Sequence, residues 1–543
     1  MTVRVTFLGG LGEIGRNCAS VEIDGRMALI DCGLMFPEED MLGVDLVIPN
    51  FSSIRARADA VECVILTHGH EDHVGALPYF LGDVNVPVFG TALAIAFARS
   101  RLEEAGVKAD LRVVSTGVWT EHGSFRFMLI PVSHSIPQGA GIALDTPEGI
   151  IVHSGDFKLD PTPIDGVPTD LPEFAALGRE GVRLLLADST NAEVPGFVSS
   201  ESSLSQPLYE IVVETTGRLV AACFASHIHR VQQIVDAAVD AGRYVGFMGR
   251  SMVRNVPTAE ELGLIDIPAD SVLPLEELLR LPPEQTAIVS TGSQGEPFAA
   301  LSLMAAGEHR WVDIGEGDTV IISARPIPGN ETKVGRVING LLMRGARVFH
   351  GNNATVHVSG HGAREELKTF INVVRPQAFV PVHGEYRHLR AHADLATEMR
   401  VPDVFLCVDG DAVVLEGGEV RHERQAVPAG HVFVDGLEVA GSVQGVIRDR
   451  RHLAEDGVVV VTLAVDMRTG EIVQGPDLDS HGFMDDPSAV FAKAVSAIRE
   501  EIEGIDRPFE VERVRRHVRS AVNRVTRLET GRKAVVIVVV LEV

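Results

Sequence analysis

The run His68-Gly69-His70-Glu71-Asp72-His73 limits what this chain can fold into more than any other feature. Four side chains able to ligate a metal fall within six residues. They follow an apolar, β-branched run, Val61 to Thr67, and precede a helix-like segment, Val74 to Leu81. A buried strand that ends in a loop and a helix start turns such a set inward together. The spacing H-x-H-x-D-H lets His68 and His70 grip one divalent ion from the loop, while Asp72 and His73 reach a second ion from the helix start. Imidazole and carboxylate suit Zn²⁺ or Mn²⁺, with Mg²⁺ as a further option, and a catalytic site leaves one position open for water. A polar turn with chance histidines is the competing reading, and the density of ligands argues against it.

The same pattern, a short Val/Ile/Leu-rich run and then a polar cluster, recurs along the chain. Met27–Ile30 leads to Asp31, and Phe127–Val132 to Ser133-His134-Ser135. Ile150–His153 leads to Gly155-Asp156, Leu184–Ala187 to Asp188-Ser189-Thr190, and Ala378–Val382 to His383-Gly384-Glu385. Open α/β sheets place their sites at the carboxyl ends of buried strands, so these ends predict one shared site. The long gap between Asp188 and His383 predicts a domain inserted into the first. Within it, Leu219–Phe224, Ala287–Ser290 and Thr319–Ser323 read as strands, and Arg230–Ala241 as a helix with Val231, Ile234, Val235 and Ala238 on one face. Its turns, Ala225-Ser226-His227, Thr291–Glu296 and Ala324–Asn330, lie near Arg230, Arg250, Arg254 and Arg325. Backbone N–H groups in such turns can hold phosphates, although plain turn chemistry explains each one taken singly.

After about Gly430 the ligand vocabulary stops. Val458–Val465 and Ala534–Val543 read as strands, with helices near Ala489–Gly504 and Phe509–Thr530 between them. The second helix carries Arg513, Arg515, Arg516, Arg519, Arg524 and Arg527, a solvated face by default. The expected bounds are 1–206 and 350–430 for the two parts of the first domain, 207–349 for the insertion, 431–450 for a linker and 451–543 for a small α+β domain.

The N-terminus runs straight into strand-like sequence without a signal peptide, and no apolar run reaches the ~18 residues of a membrane helix. The five cysteines are scattered and never paired as C-x-x-C, which fits a reducing cytoplasm and small core residues. With 48 basic and 75 acidic residues the formal charge is −27, which argues against a non-specific polyanion binder coated in lysine. Bound metal ions and a locally basic channel can still attract nucleic acid.

His68, His70 and His134 can serve one ion, and Asp72, His73 and His383 the other, with Asp156 bridging. Two ions about 3.5–4 Å apart generate a hydroxide nucleophile and clamp both oxygens of a phosphodiester displacement. Asp31 and Asp188 read as groups that orient imidazole N–H bonds. Asp188 is also a candidate for direct participation, together with Asp72 and His361, whereas Asp31 reads equally as a turn cap. In the run His357-Val358-Ser359-Gly360-His361, an extended backbone puts His357, Ser359 and His361 on one side. Cleavage must protonate or stabilise the departing 3′-oxygen, and His361 is the candidate general acid or phosphate ligand. His227 and His229 divide evenly between packing and RNA contact.

His68–His73, His134 and Asp156 resemble the metallo-β-lactamase signature, and Asp188, His361 and His383 resemble the further motifs of its β-CASP nucleases. Gly9–Gly15, Gly43–Pro49, Phe224-Ala225-Ser226, Thr291–Pro297 and Pro326–Glu331 are similar to motifs of the bacterial ribonuclease J family. The resemblance covers about residues 1–450; the C-terminal segment matches only in position and size. It implies an αββα metallo-β-lactamase sandwich with an inserted α/β β-CASP domain. It also implies a 5′-to-3′ exoribonuclease with endonuclease activity, in rRNA maturation and mRNA decay. A pocket near Ser226 and Ser359-Gly360-His361 would receive a 5′-monophosphate, and we expect His357, Val358 and His227 to join it. Homodimers or dimers of dimers, and helicase or degradosome partners, are implied in the same way. His383 stands where DNA-processing relatives usually carry valine, so RNA is favoured. Arg16, where lysine is common, and His227-Ile228-His229 depart from the family in places that bear on RNA contact.

Two other function classes compete. A small ester or thioester hydrolase explains the ligands but leaves the insertion and the run 357–361 without a task. A non-catalytic RNA-binding subunit would be expected to lose ligands, and here the set is complete.

Overall fold

A computed structural model describes residues 1–38, 41–296, 299–327, 329–436, 438–440, 444–505 and 509–543. Pro297 and Pro328, of the motifs Thr291–Pro297 and Pro326–Glu331, and positions 437 and 441–443 of the expected linker lie outside the described residues. The chain forms two compact units, one of Met1–Glu38 with Leu46–Val434, the other of Glu39–Asp45 with Asp435–Val543.

The first unit is built on two sheets packed face to face. One has eight strands in the order Glu419–Glu423, Ala412–Glu416, Thr2–Gly9, Cys18–Ile23, Arg26–Ile30, Val61–Ile65, Val88–Gly90 and Leu111–Val113. The other has seven, in the order Asp403–Val404, Ala378–Val382, Val182–Asp188, Ile150–His153, Ala140–Asp145, Phe125–Pro131 and Thr120–His122. Val5, Phe7, Ile30 and Ile65 of the first sheet share one core with Phe127, Ile142, Leu186 and Val380 of the second. Each such side chain contributes about 1.5–3 kcal/mol on burial, so the two sheets are locked together over their whole faces. Helices cover the outsides: Leu77–Leu81 and Ala92–Glu104 on the first sheet, Leu171–Glu180, Arg364–Val374 and Tyr386–Glu398 on the second. This is the αββα sandwich expected from the sequence.

Distant parts of the chain complete both sheets. Ala412–Glu416 pairs antiparallel with Thr2–Gly9, and Ala378–Val382 pairs parallel with Val182–Asp188, setting Asp188 opposite Val382. The register therefore places Asp188 beside His383. Between those two strands the chain makes a separate five-stranded parallel sheet, in the order Tyr244–Met248, Thr286–Ser290, Leu219–Ala222, Thr319–Ile322 and Arg347–His350. Its three central strands, Thr286–Ser290, Leu219–Ala222 and Thr319–Ile322, are buried on both faces, which is why they read as continuous apolar runs. The insertion expected from the gap in the ligand pattern is thus present.

In the second unit, Val458–Val465 lies between Ile472–His481, antiparallel to it, and Val535–Glu542, parallel to it. Helices Ser488–Glu503 and Val511–Thr530 pack on this sheet through Ile498, Val514, Val518 and Val522. Arg516, Arg519, Arg524 and Arg527 lie on the exposed face of the second helix. Among the described residues no helix is long and apolar enough to cross a membrane.

Candidate metal centre

The ligand loop is held by one carboxylate below it. Strand Val61–Ile65 delivers Thr67, whose backbone N–H and hydroxyl both donate to Asp31 at 2.8 Å. The same carboxylate accepts Nδ1 of His73 at 2.8 Å. Asp31 therefore caps the turn and also takes the Nδ1 proton of His73, directing Nε2 toward the centre. Gly33 lets the two segments close up. A Cβ there would lie 1.6 Å from the carbonyl oxygen of Asp72. Asn17 adds a contact from the first sheet, its Nδ2 lying 3.0 Å from His73 Nε2 and 3.4 Å from an Asp72 oxygen.

His68, His70 and His134 form the first ligand group, their ligand atoms within 4.8 Å of one another. His134 donates Nδ1 to the carbonyl of Gly360 at 2.8 Å, so its Nε2 carries a lone pair. That Nε2 lies 3.3 Å from Nδ1 of His70, which is itself 3.0 Å from Nε2 of His68. A proton on His70 could serve only one of those contacts, whereas a cation satisfies all three nitrogens. Burial, then neighbouring imidazoles, holds His68 and His134 well below the usual imidazole value. Burial also brings His70 down to about 4. All three are neutral at physiological pH, as ligands must be.

The second group is Asp72, His73, Asp156 and His383. Nε2 of His73 is 3.2 Å from Asp156, and Nε2 of His383 is 3.4 Å from Asp72. Asp156 also lies 3.8 Å from His68 and 3.9 Å from His134, between the two groups. Burial works against ionised carboxylates here, yet the histidines opposite hold both Asp72 and Asp156 below the ordinary range. Burial works against protonated His383 as well, but Asp156, Asp188 and Asp72 raise it to about 10. This half of the site draws positive charge, which a divalent ion supplies while displacing those protons. The donor set fits two divalent ions.

His361 and Asp188 flank the second group. Asp188 takes Nδ1 of His361 at 2.7 Å and the Thr190 hydroxyl at 2.8 Å, and lies 3.4 Å from His383. Burial lowers His361, but the Asp188 carboxylate more than offsets it and the imidazole is raised overall. With Nδ1 committed, Nε2 is left for a ligand. Asn191 braces the turn, donating Nδ2 to Ser359 Oγ at 2.8 Å and to the His361 carbonyl at 2.7 Å. Burial alternates from His357 to His361, as an extended run requires.

The remaining residues expected to bind substrate are placed differently. Val358 is buried in the core of the inserted domain, so its side chain packs and only its backbone can meet a ligand. His227 is buried with Nε2 at 3.2 Å from Glu201, a carboxylate that also takes Arg230 at 2.6 Å. Arg230 is wholly buried and bonds the Val356 carbonyl at 2.9 Å, which removes it from the phosphate-binding arginines. His357, 6.4 Å from His227 ring to ring, keeps a buried Nδ1 without a hydrogen-bond partner among the described residues. Ser226 lies half-buried in the turn before helix Ile228–Asp240. Arg16 is also internal, bound to Glu13 at 2.5 Å and Asp409 at 2.8 Å. Its departure from lysine concerns an internal ion network.

Known proteins share this organisation. The family model "Ribonuclease J, beta-CASP domain" matches residues 216–341, and "Ribonuclease J C-terminal domain" matches 445–543. "Zn-dependent metallo-hydrolase RNA specificity domain" matches 350–406, and "Metallo-beta-lactamase superfamily" matches 11–204. Ribonuclease J of Mycobacterium tuberculosis is 43% identical over 506 residues, 93% of this chain and 90% of the relative. The chain belongs to the ribonuclease J family. Ribonuclease J2 of Bacillus subtilis is 37% identical over 549 residues, covering 100% of this chain and 99% of its own. Ribonuclease J of Thermus thermophilus is 39% identical over 552 residues, covering 99% and 95%. A crystal structure of a protein of unknown function from Enterococcus faecalis aligns with a TM-score of 0.53 at 18% identity, covering 76% of this chain and all of that one. That likeness shows the fold alone. As a ribonuclease J family member, the protein is a hydrolase acting on RNA.

Gly360 tests how tightly the first ligand group is set. A Cβ there would meet two His134 ring atoms at 2.8 Å. Gly360→Ala is expected to weaken binding of one divalent ion by ~10–100-fold, the cost of disturbing a ligand's support. Calorimetric titration with Mn²⁺ checks this, and unchanged affinity would contradict the packing described.

Proposed function

We propose that the protein degrades RNA from the 5′ end, preferring 5′-monophosphate termini, and also cuts internally, in rRNA maturation and mRNA decay. The observation that carries this reading is the convergence of two ligand groups with a committed His361–Asp188 pair at one site. The proposed ions are two of Zn²⁺ or Mn²⁺, with Mg²⁺ as a third option. His68, His70 and His134 would hold one, and Asp72, His73 and His383 the other, with Asp156 available to both. When bound, such ions supply a nucleophile from water near neutral pH and neutralise charge on the scissile phosphate.

The chain's own groups do the rest. Asp188 fixes Nδ1 of His361, so that Nε2 presents a proton to the departing 3′-oxygen. Burial works against that proton, but the Asp188 carboxylate more than offsets it, so His361 holds the proton more tightly than an ordinary imidazole does. Asn191 sets the Ser359–His361 turn, where Ser359 and the Gly360 backbone, together with Ser226, receive the 5′-phosphate. His227 and His357 support this pocket from the buried Glu201 network. We also propose the domain bounds 1–206 with 350–430, 207–349 and 451–543, a cytoplasmic location, a homodimer or dimer of dimers, and helicase or degradosome partners.

A time course on one RNA bearing a 5′-monophosphate, beside its 5′-triphosphate and DNA counterparts, tests the reading. Metal-dependent release of mononucleotides is expected from the monophosphorylated RNA, slower from the triphosphate and absent from DNA. No RNA cleavage with Mn²⁺, Zn²⁺ or Mg²⁺ would sink it. His361→Ala is expected to slow single-turnover cleavage by ~10²–10⁴-fold, the range for general acid–base catalysis, without changing metal content. Near-normal turnover in that variant would remove His361 from the chemistry.

A further inference from the structure

Beneath the second ligand group, between the two sheets, lies a cavity of about 20 Å³. Its wall carries Asp31, His73, Asp156 and His383 on the side of the centre, apolar Phe7 and Ile30, and His153. His153 ends the strand Ile150–His153, three residues before Asp156, and no ligand or substrate role accounts for it.

Its protonation pattern is fixed by one hydrogen bond. Gly155 donates its backbone N–H to Nδ1 of His153 at 2.9 Å. Nδ1 is therefore the acceptor, and the ring's proton sits on Nε2. No acceptor for that N–H is found among the described residues. His153 is itself only partly buried and lines the cavity, so a water held there can reach that N–H. A single water needs on the order of 10–15 Å³ and two to four polar partners, and this cavity provides both. Asp31 already accepts three donors, and Asp156 faces His73 and His383. A carboxylate has about four lone-pair sites, so both can accept one more.

We infer that this cavity is a binding site for one ordered water, which accepts from His153 Nε2 and donates to the carboxylates of Asp31 and Asp156. His153 is then a positioning residue, bracing Asp156 and the Asp31–His73 pair from below the ions. This rests on the proposed reading of the centre, because bracing matters only if Asp156 ligates.

A crystal structure fine enough to show ordered water, with Mn²⁺ titrations of the whole protein and two variants, tests the inference. One water within hydrogen-bond distance of Nε2 is expected. His153→Leu removes the donor and should weaken Mn²⁺ binding by ~10–100-fold. His153→Gln, whose amide N–H reaches the position of Nε2, should stay within about threefold of the unaltered protein, a rescue that a mere packing role does not predict. An unfilled cavity, or equal Mn²⁺ affinities for the Leu and Gln variants, would overturn the inference. If the unaltered protein takes up no Mn²⁺ at all, the two-ion reading itself fails, and the bracing role with it.

Discussion

Carboxylates and imidazoles are crowded into a buried space that they could not share without added positive charge. Asp31, Asp72, Asp156 and Asp188 converge on His73, His383 and His361, with distances of 2.7–3.7 Å between partners. Burying ionised groups costs several kcal/mol each in real proteins, and in this structure protons on the histidines offset it, holding Asp72, Asp156 and Asp188 below the ordinary carboxylate range. On the other side, three neutral imidazoles turn nitrogen atoms toward one another at 3.0–3.3 Å. One half of the site wants charge and the other offers lone pairs. A pair of divalent cations answers both demands.

That demand explains the architecture around it. The donors come from strand ends and turns spread between Asp31 and His383, and only a sandwich whose two sheets are each completed by late strands brings them together. Pairing of Ala378–Val382 with Val182–Asp188 is the decisive step, since it sets His383 next to Asp188 across the inserted domain. Glu201, Arg230 and His227 form a buried cluster at the head of helix Ile228–Asp240.

How much of this the sequence shows depends on where each partner lies. His68 to His73 are legible because four ligands crowd six positions, and His134, Asp156, Asp188 and His383 because each ends an apolar run. Asn17 and Asn191 carry no such mark. Each acts on a residue made adjacent only by folding, as Asn191 does on Ser359. The same distance effect misplaces charged residues: Arg230 and His227 look like surface groups near substrate, but their carboxylate, Glu201, lies too far along the chain to suggest pairing. In the second unit, Val458–Val465 is plain from its unbroken β-branched run. Ile472–His481 is hidden by Gln474, Gly475, Pro476, Asp477 and Asp479 on an antiparallel edge strand.

The central claim is that these side chains form one two-cation centre. Anomalous X-ray scattering from crystals grown with Mn²⁺ tests it most directly. The account predicts two peaks per chain, one bounded by His68, His70 and His134, the other by Asp72, His73 and His383, with Asp156 touching both. No peak at this site, or manganese bound only elsewhere on the chain, would contradict it.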